Sequence, residues 1–131
     1  MGSTHPVVMI VDDDEVMCNL LSTMLTTKNV HVICAHSIAE AKNYIHAGTG
    51  PSVVFLDHLL PDGLGLDFLT EIRAFNKKIK VIMITGCDEK DVGEEAMRHG
   101  CFAFLEKPFS YLKISALLEK ALRKRKSLFR F

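Results

Sequence analysis

Three unbroken apolar runs constrain this chain more than any other feature: residues 7–11 (Val-Val-Met-Ile-Val), 53–56 (Val-Val-Phe-Leu) and 81–84 (Val-Ile-Met-Ile). A strand with one wet face alternates apolar and polar residues, so runs without alternation belong to strands covered on both faces. Such cover comes from helices, because parallel strands are joined by crossover helices of fixed hand. The expectation is an α/β domain with a doubly wound, five-stranded parallel sheet and five helices in three layers.

The intervening segments supply those helices. The first follows Asp12-Asp13, carries Val16, Met17, Leu20, Leu21, Met24 and Leu25 at helical spacing, and ends near Lys28-Asn29. Residues 30–35 read as the second strand. Ser37 with Glu40 three residues on is a capping-box pattern, and Ile38, Ala41, Tyr44 and Ile45 would form the inner face of a helix stopped by Gly48 and Gly50-Pro51. Leu66, Leu69, Ile72 and Phe75 mark the third helix. The fourth, from about 89 to 99, has only Val92, Ala96 and Met97, with Gly93 inside it. It should be the least firmly held, since Gly within a helix costs about 0.5 to 1 kcal/mol relative to Ala. The last helix follows Pro108 and presents Leu112, Ile114, Leu117, Leu118, Ala121 and Leu122 before a basic stretch at 123–126.

Each run ends in a residue suited to phosphoryl chemistry. The first leads into Asp12-Asp13, the second into Asp57, the third into Thr85, and a fourth run at 102–105 into Glu106-Lys107-Pro108. Ligands of such sheets bind outside the carboxyl ends of the strands, so these groups should meet at one edge. Three carboxylates held together raise each other's pKa unless something positive neutralises them. The cluster therefore implies a hard divalent cation with oxygen ligands, with the Lys107 ammonium nearby. Taken singly, each residue has a plainer reading. Asp13 or Asp14 could cap the first helix, Asp57 could be a turn residue before Pro61-Asp62-Gly63, Phe104 a core residue, Thr85 a loop hydroxyl and Lys107 a solvated cation. Independent surface choices would rarely place all of them at the same edge.

Composition fits one domain: 131 residues, 48% hydrophobic and 24% charged, with zero formal net charge. That balance argues neither for nucleic acid nor for a membrane surface. No apolar stretch approaches the roughly 20 residues needed to span a bilayer. Residues 1–5 read as disordered or as an expression scar at Met1-Gly2-Ser3, with neither a secretory signal nor a myristoylation pattern. Cys18, Cys34, Cys87 and Cys101 are scattered and contain no CxxC pair. They fit free thiols in a reducing cytoplasm rather than zinc ligands or disulfides. The six histidines lack metal-ligand spacing; His58, beside Asp57, is the one adjacent to the candidate site.

These residues together resemble the receiver domain of response regulators in bacterial two-component signalling. The resemblance rests on Asp12-Asp13 after the first strand, Asp57 followed by Pro61 and Gly65, Thr85-Gly86, and Lys107-Pro108-Phe109. It covers residues 6–124, leaving 125–131 as a tail or the start of a linker to an output domain, and implies a flavodoxin-like fold. By that resemblance Asp57 is the phosphoacceptor, served by a histidine kinase or phosphotransfer protein. Asp12, Asp13, Asp57 and the backbone carbonyl of Leu59 would hold Mg²⁺ or Mn²⁺. Lys107, aimed inward by a cis peptide to Pro108, and Thr85 would contact the phosphoryl oxygens. Phe104 matches the switch aromatic, which turns inward when Thr85 moves and so alters the surface of the fourth helix, fifth strand and last helix. The implied role is a switch acting on an output domain or target protein, with nucleic acid reached only through an output domain, and with a homodimer formed on phosphorylation. It would not be an enzyme beyond promoting its own phosphorylation and dephosphorylation.

The sequence departs from the family's pattern in three places. Asp14 extends the first acidic stretch, and Leu59 is apolar where many members carry a polar side chain near the path of attacking water. Slower hydrolysis of the aspartyl phosphate is expected from Leu59. Phe104 in place of Tyr removes a hydroxyl from the switch surface. Rival classes fit less well. An aspartate-dependent phosphatase or phosphotransferase needs a second aspartate at position 59. A flavodoxin-like cofactor binder needs a Gly- and hydroxyl-rich loop after the first strand, where residues 12–15 are all acidic. A phosphorylation-independent interaction module on the same fold leaves the complete site unexplained. The basic residues at 123–126 read as a solvated last turn suited to a helix C-terminus, or as a nucleic-acid patch.

Overall fold

In the computed structural model, which describes residues 5–48, 50–86 and 88–123, every apolar run is a strand. β1 is Val7–Val11, β2 His31–Ala35, β3 Val53–Asp57, β4 Lys80–Thr85 and β5 Ala103–Glu106. They form one sheet in the order β2-β1-β3-β4-β5, with every neighbouring pair parallel. The pleat sends alternate residues to opposite faces. Met9, Val11, Val54, Leu56, Val81 and Met83 pack on one side with Ala41, Ile45, Leu69, Ile72 and Ala96. Val8, Ile10, Val53, Phe55, Ile82 and Ile84 pack on the other with Cys18, Leu21, Leu25, Ile114 and Leu118. Both faces are dry, which is why the runs need no polar residue.

The helices are α1 (Glu15–Thr26), α2 (Ile38–Ile45), α3 (Gly65–Phe75), α4 (Lys90–Arg98) and α5 (Tyr111–Leu122). Asp14 caps α1, its Oδ1 accepting the N–H groups of Val16 at 3.0 Å and Met17 at 3.4 Å. The cap role therefore falls to the third aspartate and leaves Asp12 and Asp13 for the strand edge. Ser37 caps α2 through the Glu40 N–H at 3.1 Å. The reciprocal half of the expected box is shifted by one residue, because Glu40 Oε1 takes the N–H of His36 at 2.6 Å rather than that of Ser37.

Several residues assigned to inner faces by spacing lie outside instead. Val16, Leu20, Tyr44, Phe75, Met97 and Leu112 are all exposed. Each flanks a buried stripe, such as Cys18, Leu21 and Leu25 on α1 or Ala41 and Ile45 on α2. A helix pressed on a sheet buries only that narrow stripe. Phe75 keeps part of its apolar surface against the His46 ring, the two rings tilted by 41° with centroids 4.5 Å apart.

One element was not anticipated. Leu59–Leu60 and Gly63–Leu64 form a small antiparallel ladder in the loop after β3. Cys18, Cys34 and Cys101 are free thiols; Cys87, the first four residues of the expected 1–5 segment and the expected tail at 125–131 lie outside the described residues. Among the described residues, no helix is long and apolar enough to cross a membrane.

Candidate functional site

Strand order and register build the site. The chain runs outward from β1 to β2 and then returns to β3 on the other side of β1, so a crevice opens at the carboxyl ends of β1 and β3. Val11 pairs with Leu56, which sets Asp12 beside Asp57. Asp57 pairs with Ile84, and Thr85 pairs with Glu106, so Thr85 and Lys107 follow at the same edge. The Lys107 N–H donates to the Thr85 carbonyl at 2.8 Å, and the Lys107–Pro108 peptide is cis.

Asp12, Asp13 and Asp57 each offer a carboxylate oxygen to one point, the three atoms lying within 4.8 Å of one another. Asp12 is buried. One of its oxygens accepts the Asp14 N–H at 2.9 Å, while the other is buried without a hydrogen-bond partner among the described residues. Asp57 Oδ1 accepts the N–H of His58 at 2.9 Å; the His58 side chain is itself buried. Burial raises the Asp57 carboxyl to about 6, helped by the charge of Asp12 and opposed by Lys107 and the His58 N–H. Burial likewise raises Asp12, against the Asp14 N–H and Lys107. An all-oxygen donor set with an orphaned buried carboxylate oxygen and raised acids has the chemistry of a hard divalent cation site. A cation there would lower both acids and satisfy the orphaned oxygen.

Thr85 is fully buried, and its Oγ1 has no partner among the described residues. Phe104 is half-buried on β5, with its ring laid against α4 where Gly93 leaves room. A Cβ at Gly93 would lie 2.4 Å from Phe104 Cδ2. Gly93, which sequence reasoning treated only as a weak point in the helix, is thus the floor of the slot that holds the ring. Leu59 lies two residues past Asp57 in the small ladder and is 60% exposed. It faces Leu64, also exposed, across the ladder. Beside the carboxylates a groove of about 540 Å³ is lined by Met17, Leu20, Gly86, Asp88, Lys107, Pro108 and Phe109.

The sequence matches the response regulator receiver domain family over residues 8–119, and the chain belongs to that family, whose members act in two-component signalling. Among its relatives, the regulatory protein AtoC of Escherichia coli (strain K12) is 29% identical over 116 residues, covering 88% of this chain and 25% of AtoC. The chain spans about a quarter to a third of the length of the curated relatives it matches first. Among solved structures, the receiver domain of NtrX from Brucella abortus superposes with a TM-score of 0.83 at 29% identity, covering 88% of this chain and 97% of that one. The beryllofluoride-activated NtrC4 receiver domain dimer gives 0.82 at 34% identity, covering 88% and 94%.

Proposed function

We propose that this chain is a phospho-accepting signalling switch in which Asp57 takes a phosphoryl group from a histidine kinase or phosphotransfer protein. The observation that carries this reading is the meeting of Asp12, Asp13 and Asp57 within 4.8 Å at the edge that also holds Lys107 and the unpartnered hydroxyl of Thr85. Phosphoryl transfer asks mainly for positioning and charge neutralisation. A carboxylate oxygen of Asp57 attacks phosphorus in line with the departing histidine nitrogen. Asp12, Asp13, Asp57 and the Leu59 carbonyl would hold Mg²⁺ or Mn²⁺, which supplies positive charge to the transferring group. Lys107 adds a second positive charge, and Thr85 donates its hydroxyl to a phosphoryl oxygen. The movement of Thr85 is relayed to Phe104, whose ring leaves the Gly93 slot and turns inward, changing the face made by α4, β5 and α5.

The donor approaches over the groove beside Lys107, and the output lies in a cytoplasmic target or in a further domain, as the greater length of the relatives suggests. Nucleic acid is reached only through such a domain. A homodimer formed on phosphorylation agrees with the activated NtrC4 dimer. The chain promotes its own phosphorylation and dephosphorylation and turns over no other substrate.

Beryllofluoride with Mg²⁺, which mimics an aspartyl phosphate, tests the switch. Amide resonances around Thr85, Gly93 and Phe104 should shift in the wild type and stay in place in Asp57→Asn. An unchanged wild-type spectrum at saturating Mg²⁺ would favour an inert module on the same fold. A second expected outcome concerns phosphate lifetime. Exposed Leu59, with Leu64 beside it, sets an apolar lip where attacking water would be oriented, so Leu59→Asn should lose its phosphoryl group several-fold faster than the wild type. Equal decay rates would rule that role out.

A further inference from the structure

In the loop from Asp57 to α3, His58 is buried and Leu60 packs half-buried against the core, but Leu59 and residues 61–64 are exposed, so packing holds the outer part of the loop only weakly. At its base the Gly65 N–H donates to the His58 carbonyl at 2.6 Å, and the small ladder closes its arms. Its tip, Pro61-Asp62, reaches across to a different element. Asp62 Oδ1 accepts the N–H of Ile38 at 2.9 Å, and Oδ2 accepts that of Ala39 at 3.0 Å. The next residue is held against the same turn, since a Cβ on Gly63 would meet Ile38 Cδ1 at 2.9 Å.

Local capping does not require this arrangement. Ser37 already accepts the Glu40 N–H through its hydroxyl and the Ala41 N–H through its carbonyl at 3.0 Å. The first-turn donors of a helix are commonly left to water or to a neighbouring side chain. Here two of them are satisfied from 24 and 23 residues away. α2 is a firm reference because Ala41 and Ile45 are buried in the core. The two N–H groups hold the Asp62 carboxyl below the usual carboxylate range, in keeping with a carboxylate that stays ionised and engaged.

We infer that Asp62 is a positioning residue for the cation site: by fastening the loop tip to the first turn of α2, it fixes the Leu59 backbone through the ladder. The inference rests on the reading that the Leu59 carbonyl is a cation ligand.

Mg²⁺ titrations followed by amide shifts, together with amide hydrogen exchange in the metal-free protein, test it across three variants. Asp62→Ala should weaken Mg²⁺ binding by about three- to tenfold, the share of a lost cap that reaches the ligand, and should speed exchange in the ladder. Asp62→Asn removes the same charge but keeps one acceptor, and should fall between Asp62→Ala and the wild type. Ser37→Ala removes a cap from the same helix without touching the loop. It should lower thermal stability and leave Mg²⁺ affinity unchanged. Wild-type affinity in Asp62→Ala overturns the inference. So does a loss in Asp62→Asn as large as in Asp62→Ala, or an equal loss in Ser37→Ala. Wild-type protein that fails to bind Mg²⁺, with ladder exchange nonetheless faster in Asp62→Ala, would reject the cation site while leaving the tether standing. Unchanged ladder exchange would reject the tether itself.

Discussion

In the absence of divalent cations, Asp57→Asn should make the protein more stable at pH 7 by about 1 to 2 kcal/mol, although it removes the proposed phosphoacceptor. Burial and the neighbouring Asp12 charge lift the Asp57 carboxyl from an ordinary 3.8 to about 6 in the folded chain. The folded state therefore binds this proton more tightly than the unfolded state does. Well below pH 3.8 the group is protonated in both states and costs nothing. As the pH rises from 3.8 through about 6, the folded chain loses that advantage, and above this window the full cost of an ionised, crowded carboxylate is present. A gap of that size corresponds to about 3 kcal/mol, reduced to about 1 to 2 because solvent reaches the partly exposed carboxylate. Urea unfolding in EDTA at pH 4.5 and pH 7 measures it. The variant's advantage should be small at the lower pH and large at the higher. Saturating Mg²⁺ should then reverse the order, since ligand at 100 times its Kd adds about 2.7 kcal/mol to whichever folded chain binds it. An advantage of equal size at both pH values would show that the crowding of the carboxylates is not its source.

The edge carrying this cluster was legible in the sequence because two independent constraints coincide there. Unbroken apolar runs specify strands buried on both faces, and the residue that ends each run sits at the ligand-binding edge of such a sheet. What the sequence left open depends on contacts between distant segments. Three consecutive aspartates do not reveal which one caps α1; the answer lies in where the helix begins, one residue past Asp14. Gly93 reads as a defect until β5 lays the Phe104 ring across it. Asp62 reads as a turn residue because its partners, Ile38 and Ala39, lie on a helix that precedes β3. Tyr44, Phe75 and Leu112 obey helical spacing and are nevertheless exposed, since periodicity gives the direction of a stripe but not the width a flat sheet covers. Contacts across the fold, rather than local preference, decided each of these cases.

Gly65→Ala should destabilise the protein by about 2 to 3 kcal/mol and disturb the proposed phosphoacceptor, Asp57, at the same time. Helix propensity argues the opposite, since Ala within a helix is favoured over Gly by about 1 kcal/mol. Gly65 opens α3 as a buried residue, so no unusual backbone conformation accounts for its presence. The reason is proximity. A Cβ there would lie 2.2 Å from the carbonyl oxygen of Asp57 and 3.0 Å from the Cα of His58. Both are backbone atoms of the segment that presents the Asp57 carboxylate, and unlike the end of a flexible side chain they cannot turn aside. Relief requires the start of α3 to move away or the end of β3 to shift, and either movement stretches the 2.6 Å bond from the Gly65 N–H to the His58 carbonyl. The two effects are separable by experiment. Urea unfolding reads the stability loss, and Mg²⁺ titration under folding conditions reads the displacement of Asp57 as weaker binding. A Gly65→Ala protein as stable as the wild type would mean that α3 yields at little cost. One that is less stable but binds Mg²⁺ normally would place all of the movement in α3 and none at the carboxylate.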